Sequence, residues 1–306
     1  MSYLNFLRLH MLDTARRGMI YGLFGFLCFS LNDVIVKQIT TTLHYHPLFI
    51  IFVSSCMMMG VLLLAAPRLG GWKATFQTRK PGLHLARSLL MLPTAPLIIY
   101  AFAHIPLSTG YAVIMLTPLI VTMIARFWMG EHHGKHVYAL ILLGFIGVLV
   151  SLRPGHSDFG LPVLALSCGV CFSAMRVTLL RKGHAGETPL SMIFYPCLSL
   201  LLVYAIPAYI YAPQVTFGVL AILACCGLFL AGGFIFTQAA YRIAPAAYAG
   251  ITHYSQIIWG ILFGWLFFAS PPDALTLIGA AIIATSGVLL IWQTRPHNPN
   301  LPPQTA

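Results

Sequence analysis

Residues 137–155 read VYALILLGFIGVLVSLRPG, an almost unbroken apolar run closed by a basic residue, a proline and a glycine. A helix of this composition has no polar face to turn to water, so it belongs in hydrocarbon or in a deep core. Its ending recurs. Gly147-Val148-Leu149 with Arg153-Pro154 is matched by Gly287-Val288-Leu289 with Arg295-Pro296. Working outward from that pair, Phe29-Ser30 with Val34 matches Phe172-Ser173 with Val177, and Ala101 with Pro106 matches Ala240 with Pro245. Ordered matches at a nearly constant offset mark an internal repeat, with the chain folded near residue 156.

The rest of the sequence has the same character. Of 306 residues, 59% are apolar and 8% charged, against about 25% charged in soluble domains. That excludes an ordinary soluble enzyme. Spans of about 20 apolar residues, enough to cross about 30 Å of hydrocarbon as helix, recur almost without gaps. Ten are predicted, near Met19–Ile39, Leu48–Ala66, Leu83–Ala103, Leu107–Met129, Val137–Leu152, Phe159–Leu180, Leu190–Tyr211, Thr216–Gln238, Ala246–Phe268 and Ala274–Trp292. The loops between them are too short for a soluble domain. The first dozen residues and the Pro-rich tail 296–306 read as extramembrane segments of low order.

The net charge of +11 is an orientation signal. Arg8, Arg16, Arg17, Arg68, Lys73, Arg79, Lys80, Arg126, Lys135, Arg181, Lys182, Arg242 and Arg295 fall on one side, against Arg153 and, at a helix edge, Lys37 on the other. The positive-inside rule then places both termini in the cytoplasm. The same sorting argues against nucleic acid as a partner, and no GxxxxGK[ST] motif offers a nucleotide site.

Five helices per half is an odd number, so the second half enters the bilayer from the opposite face. Inverted repeats of this kind characterise secondary transporters, whose sites lie at the repeat interface. Here the sequence resembles the EamA family of the drug/metabolite transporter superfamily. The resemblance is carried by Pro106 to Pro118 in the fourth span, Gly130-Glu131 after it, and Gly147-Val148-Leu149-Val150 ending in Arg153-Pro154-Gly155. Where the family's second repeat often shows another Gly-Glu, this chain has Ala269-Ser270-Pro271. The resemblance implies a bacterial inner-membrane protein, an all-α membrane fold with ten transmembrane helices as two inverted five-helix repeats. It also implies a cavity drawn from the first, third, fourth, sixth, eighth and ninth helices. Expected boundaries are 18–155 and 156–293 for the repeats and 294–306 for a disordered cytoplasmic tail.

Charges inside spans are costly, about 2.5–3.5 kcal/mol at a helix centre, so each requires a reason. On the first helix Phe26, Ser30, Asp33 and Lys37 share an arc of about 60°. Asp33 and Lys37, at i and i+4, either neutralise each other as an outer anchor or form a substrate or proton site. The repeat alignment sets Arg176 opposite Asp33, which offers complementary charges to a zwitterion; alternatively Arg176, like Arg87, snorkels to the headgroups.

In the ninth span Tyr248, Thr252, Ser255, Gln256 and Trp259 fall within an arc of about 100°, with His253 off its edge. They read as cavity lining for an organic solute or as interhelical packing glue, and His253 as a packing residue or a proton acceptor. Thr109, Thr117 and Pro118 occupy the matching stretch of the fourth span, where Pro118 frees a carbonyl that protein or solute must satisfy. The seven cysteines lie inside spans as small apolar residues. Glu131-His132-His133-x-x-His136 has i, i+4 histidines but no matching cluster, so neither a metal nor another cofactor is expected.

The expectation is a secondary transporter of a small amphipathic metabolite, an amino acid or a compound derived from one, exported by alternating access. An uptake carrier or uncoupled facilitator for a cofactor-like metabolite is the alternative, and a membrane-embedded enzyme the remote one. Its partners are the metabolite and the lipid bilayer, with a homodimer as a further option.

Overall fold

A computed structural model describes residues 3–69, 71–129, 135–152, 160–183, 187–243 and 252–293. Every regular element among them is helical. The helices are α1 (Tyr3–Thr42), α2 (Pro47–Ala65), a short α3 (Trp72–Phe76), α4 (Pro81–His104), α5 (Leu107–Ile114), α6 (Thr117–Met129) and α7 (Lys135–Leu152). The second half holds α8 (Leu161–Gly183), α9 (Pro189–Ile210), α10 (Phe217–Ile243), α11 (Ser255–Phe268) and α12 (Ala274–Gln293). Pro47, Pro81 and Pro189 each open a helix, at the position where a missing N–H costs nothing. His46 and Thr188 complete two of those starts by accepting from the N–H groups of Leu48 and Ser191.

Seven helical segments are long and apolar enough to cross a membrane. They are Arg16–Thr42, Pro47–Arg68, Pro81–His104, Leu107–Trp128, Leu161–Leu180, Pro189–Ile210 and Phe217–Tyr241. Lys135–Ser151 and Ala274–Leu289 are apolar but shorter, and α11 has 14 residues. Residues 244–251, which the sequence reading assigns to the ninth span, lie outside the described residues, as does the tail 294–306. One expectation needs correction: the chain's first dozen residues are not a low-order arm, because α1 already begins at Tyr3. Leu64, Leu202, Tyr209 and Phe217 are each at least 70% exposed. A water-soluble surface rarely carries such a density of large apolar side chains, whereas lipid covers them at no cost.

The halves interleave. Matching α1, α2, α4, α5–α6 and α7 to α8, α9, α10, α11 and α12 in order, α1 packs on α10 and its counterpart α8 packs on α4. Likewise α2 meets α10 while α9 meets α4, and α1 meets α11 while α8 meets α6. Three further contacts, α2 with α9, α5 with α11 and α7 with α12, join a helix to its own counterpart. A pseudo-twofold relation between the halves generates this pattern of pairs. The α7–α12 contact needs two glycines: a Cβ on Gly279 would lie 2.5 Å from the Gly147 carbonyl oxygen and 2.8 Å from Cβ of Ser151. Gly60, by contrast, has nothing within 4 Å of a built Cβ. Gly279→Leu is expected to lower stability by about 1–3 kcal/mol through overpacking, and Gly60→Leu to leave it unchanged. Thermal unfolding of the detergent-purified variants measures the difference.

Candidate functional site

The buried polar groups begin with proline. A proline in a helix leaves the carbonyl four residues earlier without its donor, and hydrocarbon offers no water to replace it. The end of α4 at His104 leaves carbonyls in the same condition, and Lys37 donates to Phe102 O at 2.6 Å and to Ile105 O at 2.7 Å. Pro96 frees Leu92 O, which accepts from the Tyr204 hydroxyl at 2.6 Å. Pro118 frees Ile114 O, which accepts from the Thr117 hydroxyl at 2.6 Å, and the chain breaks there into α5 and α6. Pro196 frees Met192 O, which accepts from Arg87 at 2.9 Å.

These bonds relocate several expected site residues. Lys37 does not pair with Asp33; it is drawn to the end of α4 and lies 5.4 Å above the ring of Phe268. Asp33 instead accepts from the Tyr111 hydroxyl at 2.8 Å and from Asn32 at 3.4 Å, with Ser30 fully buried one turn away. Thr117 satisfies backbone. Arg87, 2% exposed, does not reach for headgroups.

In the ninth span Thr252, Ser255 and Gln256 are buried, and the Ser255 hydroxyl is taken by Thr252 O at 2.7 Å. His253 stacks on Phe26, ring centroids 4.6 Å apart. Trp259 stacks on Phe263 at 6.0 Å, and Thr109 is half-buried. Tyr248 lies outside the described residues, as do Glu131, His132 and His133. Among the described residues no cluster of metal-ligating side chains occurs.

Arg87 and Arg176 come together. They line one cavity with Met58, Met91, Met192, Ile193, Pro196, Cys197, Phe234 and Gln238. Its walls are therefore α2, α4, α8, α9 and α10, so α2 and α9 enter where the family resemblance implies the first, fourth and ninth helices. Arg176 faces inward, 5.9 Å from the ring centroid of Phe234. Asp33 is not among the lining groups. A second pocket of 340 Å³ opens at the other end of the bundle, between Lys37, Thr41, His104, Pro106, Phe268 and Ser270.

Two seams join the halves. At the end carrying Arg79 and Lys80, the side chain of Glu187, 0% exposed, reaches from the second half to the α3–α4 connection of the first. Its Oε1 accepts from the Thr78 hydroxyl at 3.0 Å and from the N–H groups of Arg79 and Lys80 at 2.8 and 3.1 Å. Its Oε2 accepts from His84 Nε2 at 3.0 Å and from the Ser191 hydroxyl at 3.3 Å. The pseudo-twofold carries this seam onto the opposite end. There Tyr45 donates to Gln214 O at 3.0 Å, and His46 stacks on Tyr211 with ring centroids 3.8 Å apart.

The sequence reading misses Glu187 and His84. The available signal is that Glu187 is one of six acidic residues and lies in a loop next to a helix start. Burial works against the Glu187 charge, but the hydrogen bonds from His84, Arg79 and Thr78 outweigh it and hold the carboxyl at about 2, below its ordinary 4.5. A depressed folded-state value means stability that is complete above the ordinary value and lost as pH falls toward 2. Melting temperature should therefore decline from pH 4.5 downward, and Glu187→Gln should flatten that decline; an unchanged slope would show that the carboxylate contributes nothing.

The chain is 25% identical over 289 residues to an S-adenosylmethionine uptake transporter of Rickettsia prowazekii, covering 93% of this chain and 95% of that one. It is 25% identical over 282 residues to a pseudopaline exporter of Pseudomonas aeruginosa, covering 91% and 97%. With a riboflavin transporter of Vibrio cholerae it shares 29% over 230 residues, covering 74% and 76%. A solved crystal structure superposes with a TM-score of 0.64 at 16% identity, over 90% of this chain and 97% of the other, a likeness of fold alone. These relatives are named as transporters, not enzymes. The EamA-like transporter family matches residues 16–153 and 160–293, and the chain belongs to it.

Proposed function

We propose that this protein is a ten-span secondary transporter of the bacterial inner membrane. It moves a small amphipathic, amino-acid-derived metabolite outward by alternating access, with both termini in the cytoplasm. The observation that carries the reading is the pair of seams. Each joins the first half to the second, one at each end of the bundle, and the Arg87–Arg176 cavity lies among helices of both halves. Rocking one half against the other opens one seam while the other holds. The distribution of basic residues supports placing the Glu187 seam on the cytoplasmic side. Short α7 and α12, packed on each other, and α11 supply the remaining three of the ten spans.

The relatives named for uptake of S-adenosylmethionine favour a second reading, inward movement of the same class of solute; the one named for pseudopaline export favours outward movement. The seams serve either direction.

Two cross-links test the mechanism. In a background with the native cysteines replaced, Thr78→Cys with Glu187→Cys, bridged by a bis-methanethiosulfonate spacer that spans more than a direct disulfide can, would lock the cytoplasmic seam, and Tyr45→Cys with Gln214→Cys, bridged likewise, the outer one. Each cross-link should abolish flux of S-adenosylmethionine or riboflavin in proteoliposomes, and reduction should restore it. Flux that continues with either seam locked would refute alternating access. Asp33→Asn and Arg176→Gln are expected to reduce flux about tenfold or more while the protein still inserts, on the magnitude of a lost buried charge contact.

A further inference from the structure

Building on the transporter reading, we infer that the cavity recognises its solute by a carboxylate, with Arg176 as the counter-charge that the fold leaves open. A guanidinium does not escape burial by losing its proton, so a buried arginine requires an anion or a set of acceptors. Arg87 has one: Met192 O, freed by Pro196, takes one of its nitrogens at 2.9 Å, although its Nε has no partner among the described residues. For Arg176 the contact is the Phe234 ring, and its buried Nε likewise has no hydrogen-bond partner among the described residues.

The protein has few acids with which to answer. Glu187 is held in the cytoplasmic seam, Asp33 by Tyr111, and Asp273 accepts from the Thr276 N–H at the start of α12. None of these three reaches the cavity. Two cations without a carboxylate between them form a site that a solute anion completes. The planar fork of a guanidinium matches a carboxylate with two parallel hydrogen bonds.

The remaining walls define the rest of the ligand. Met58, Met91 and Met192 with Phe234 offer soft, adaptable apolar surface, and Gln238 offers one neutral donor and acceptor. The ligand class is a small organic acid with an apolar or sulfur-containing remainder. The closed cavity, at 10 Å³, holds about one water, so such a solute enters only when the halves part.

An anionic lipid headgroup presents related chemistry, and the test separates the two sources. Full-length protein in neutral detergent is melted with N-acetyl-L-methionine and with N-acetyl-L-phenylalanine, each against its uncharged primary amide, and separately with phosphatidylglycerol. At least one acid should raise the melting temperature saturably while its amide does not. The effect should weaken about 30-fold in apparent affinity in Arg176→Gln, less in Arg176→Lys, which keeps the charge but not the fork, and persist in the surface control Arg126→Gln. The inference is overturned if acid and amide act equally, if neither acid acts, or if Arg176→Gln binds as well as the parent. It is also overturned if phosphatidylglycerol alone acts through Arg176. The cross-linking experiment reads transport independently, so failure here leaves the transporter reading standing.

Discussion

The bilayer interior contains no water to satisfy a stray carbonyl, and this chain places prolines inside its spans. That combination organises the polar chemistry of the protein. Each of four freed carbonyls, at Leu92, Ile114 and Met192 four residues before a proline and at Phe102 where α4 ends, draws a polar side chain. Two of those side chains, Lys37 and Arg87, carry charge. The freed carbonyls also cross-link the helices: Arg87 ties α4 to α9, Tyr204 ties α9 back to α4, and Lys37 ties α1 to α4. A helix broken at one point thus acquires a polar tether to its neighbour at that same point.

This arrangement separates charges with two kinds of work. Lys37 is satisfied by backbone and needs no partner from outside. Arg87 is partly satisfied, and among the described residues Arg176 meets an aromatic face and no acceptor for its Nε. The gradient from fully to barely answered cations leads into the cavity, so scarcity of acid there is a property of the site. Asp33, Glu187 and Asp273 fit this division, since each is committed to a hydroxyl, a backbone N–H or a histidine elsewhere.

Much of this was legible in the sequence and some was not. The repeat could be read because it is written as local motifs, Phe-Ser-x-x-x-Val and Gly-Val-Leu, which survive without knowledge of partners. The carbonyl released by Pro118 could be anticipated, since proline acts on a residue four positions away; that Thr117 would take it is equally local. The pairing of Asp33 with Lys37 failed because spacing on one helix gives proximity, not preference. Tyr111 and Phe102 are 78 and 65 residues distant, and their stronger demands are invisible to a helical wheel. Glu187 was missed for the same reason: its donors at Thr78 to His84 come from the other repeat.

The two seams are equivalent in position but unequal in strength, and that inequality bears on which way the protein rests. A hydrogen bond to a charged acceptor is worth about 1.5–3 kcal/mol, against about 1 kcal/mol for a neutral one. The Glu187 seam has several of the first kind; the Tyr45 seam has one neutral bond and a ring stack. In the proposed rocking, opening the basic end therefore breaks more than opening the other. A solute can shift this balance only by its differential affinity for the two arrangements. An anion at Arg176 supplies such a difference where it binds the parted cavity and not the closed one, because it brings the charge that the described part of the cavity lacks. In the proposed mechanism the closed state is then stable without solute and the open state with it, a coupling that rests on Asp33, Glu187 and Asp273 being committed outside the cavity.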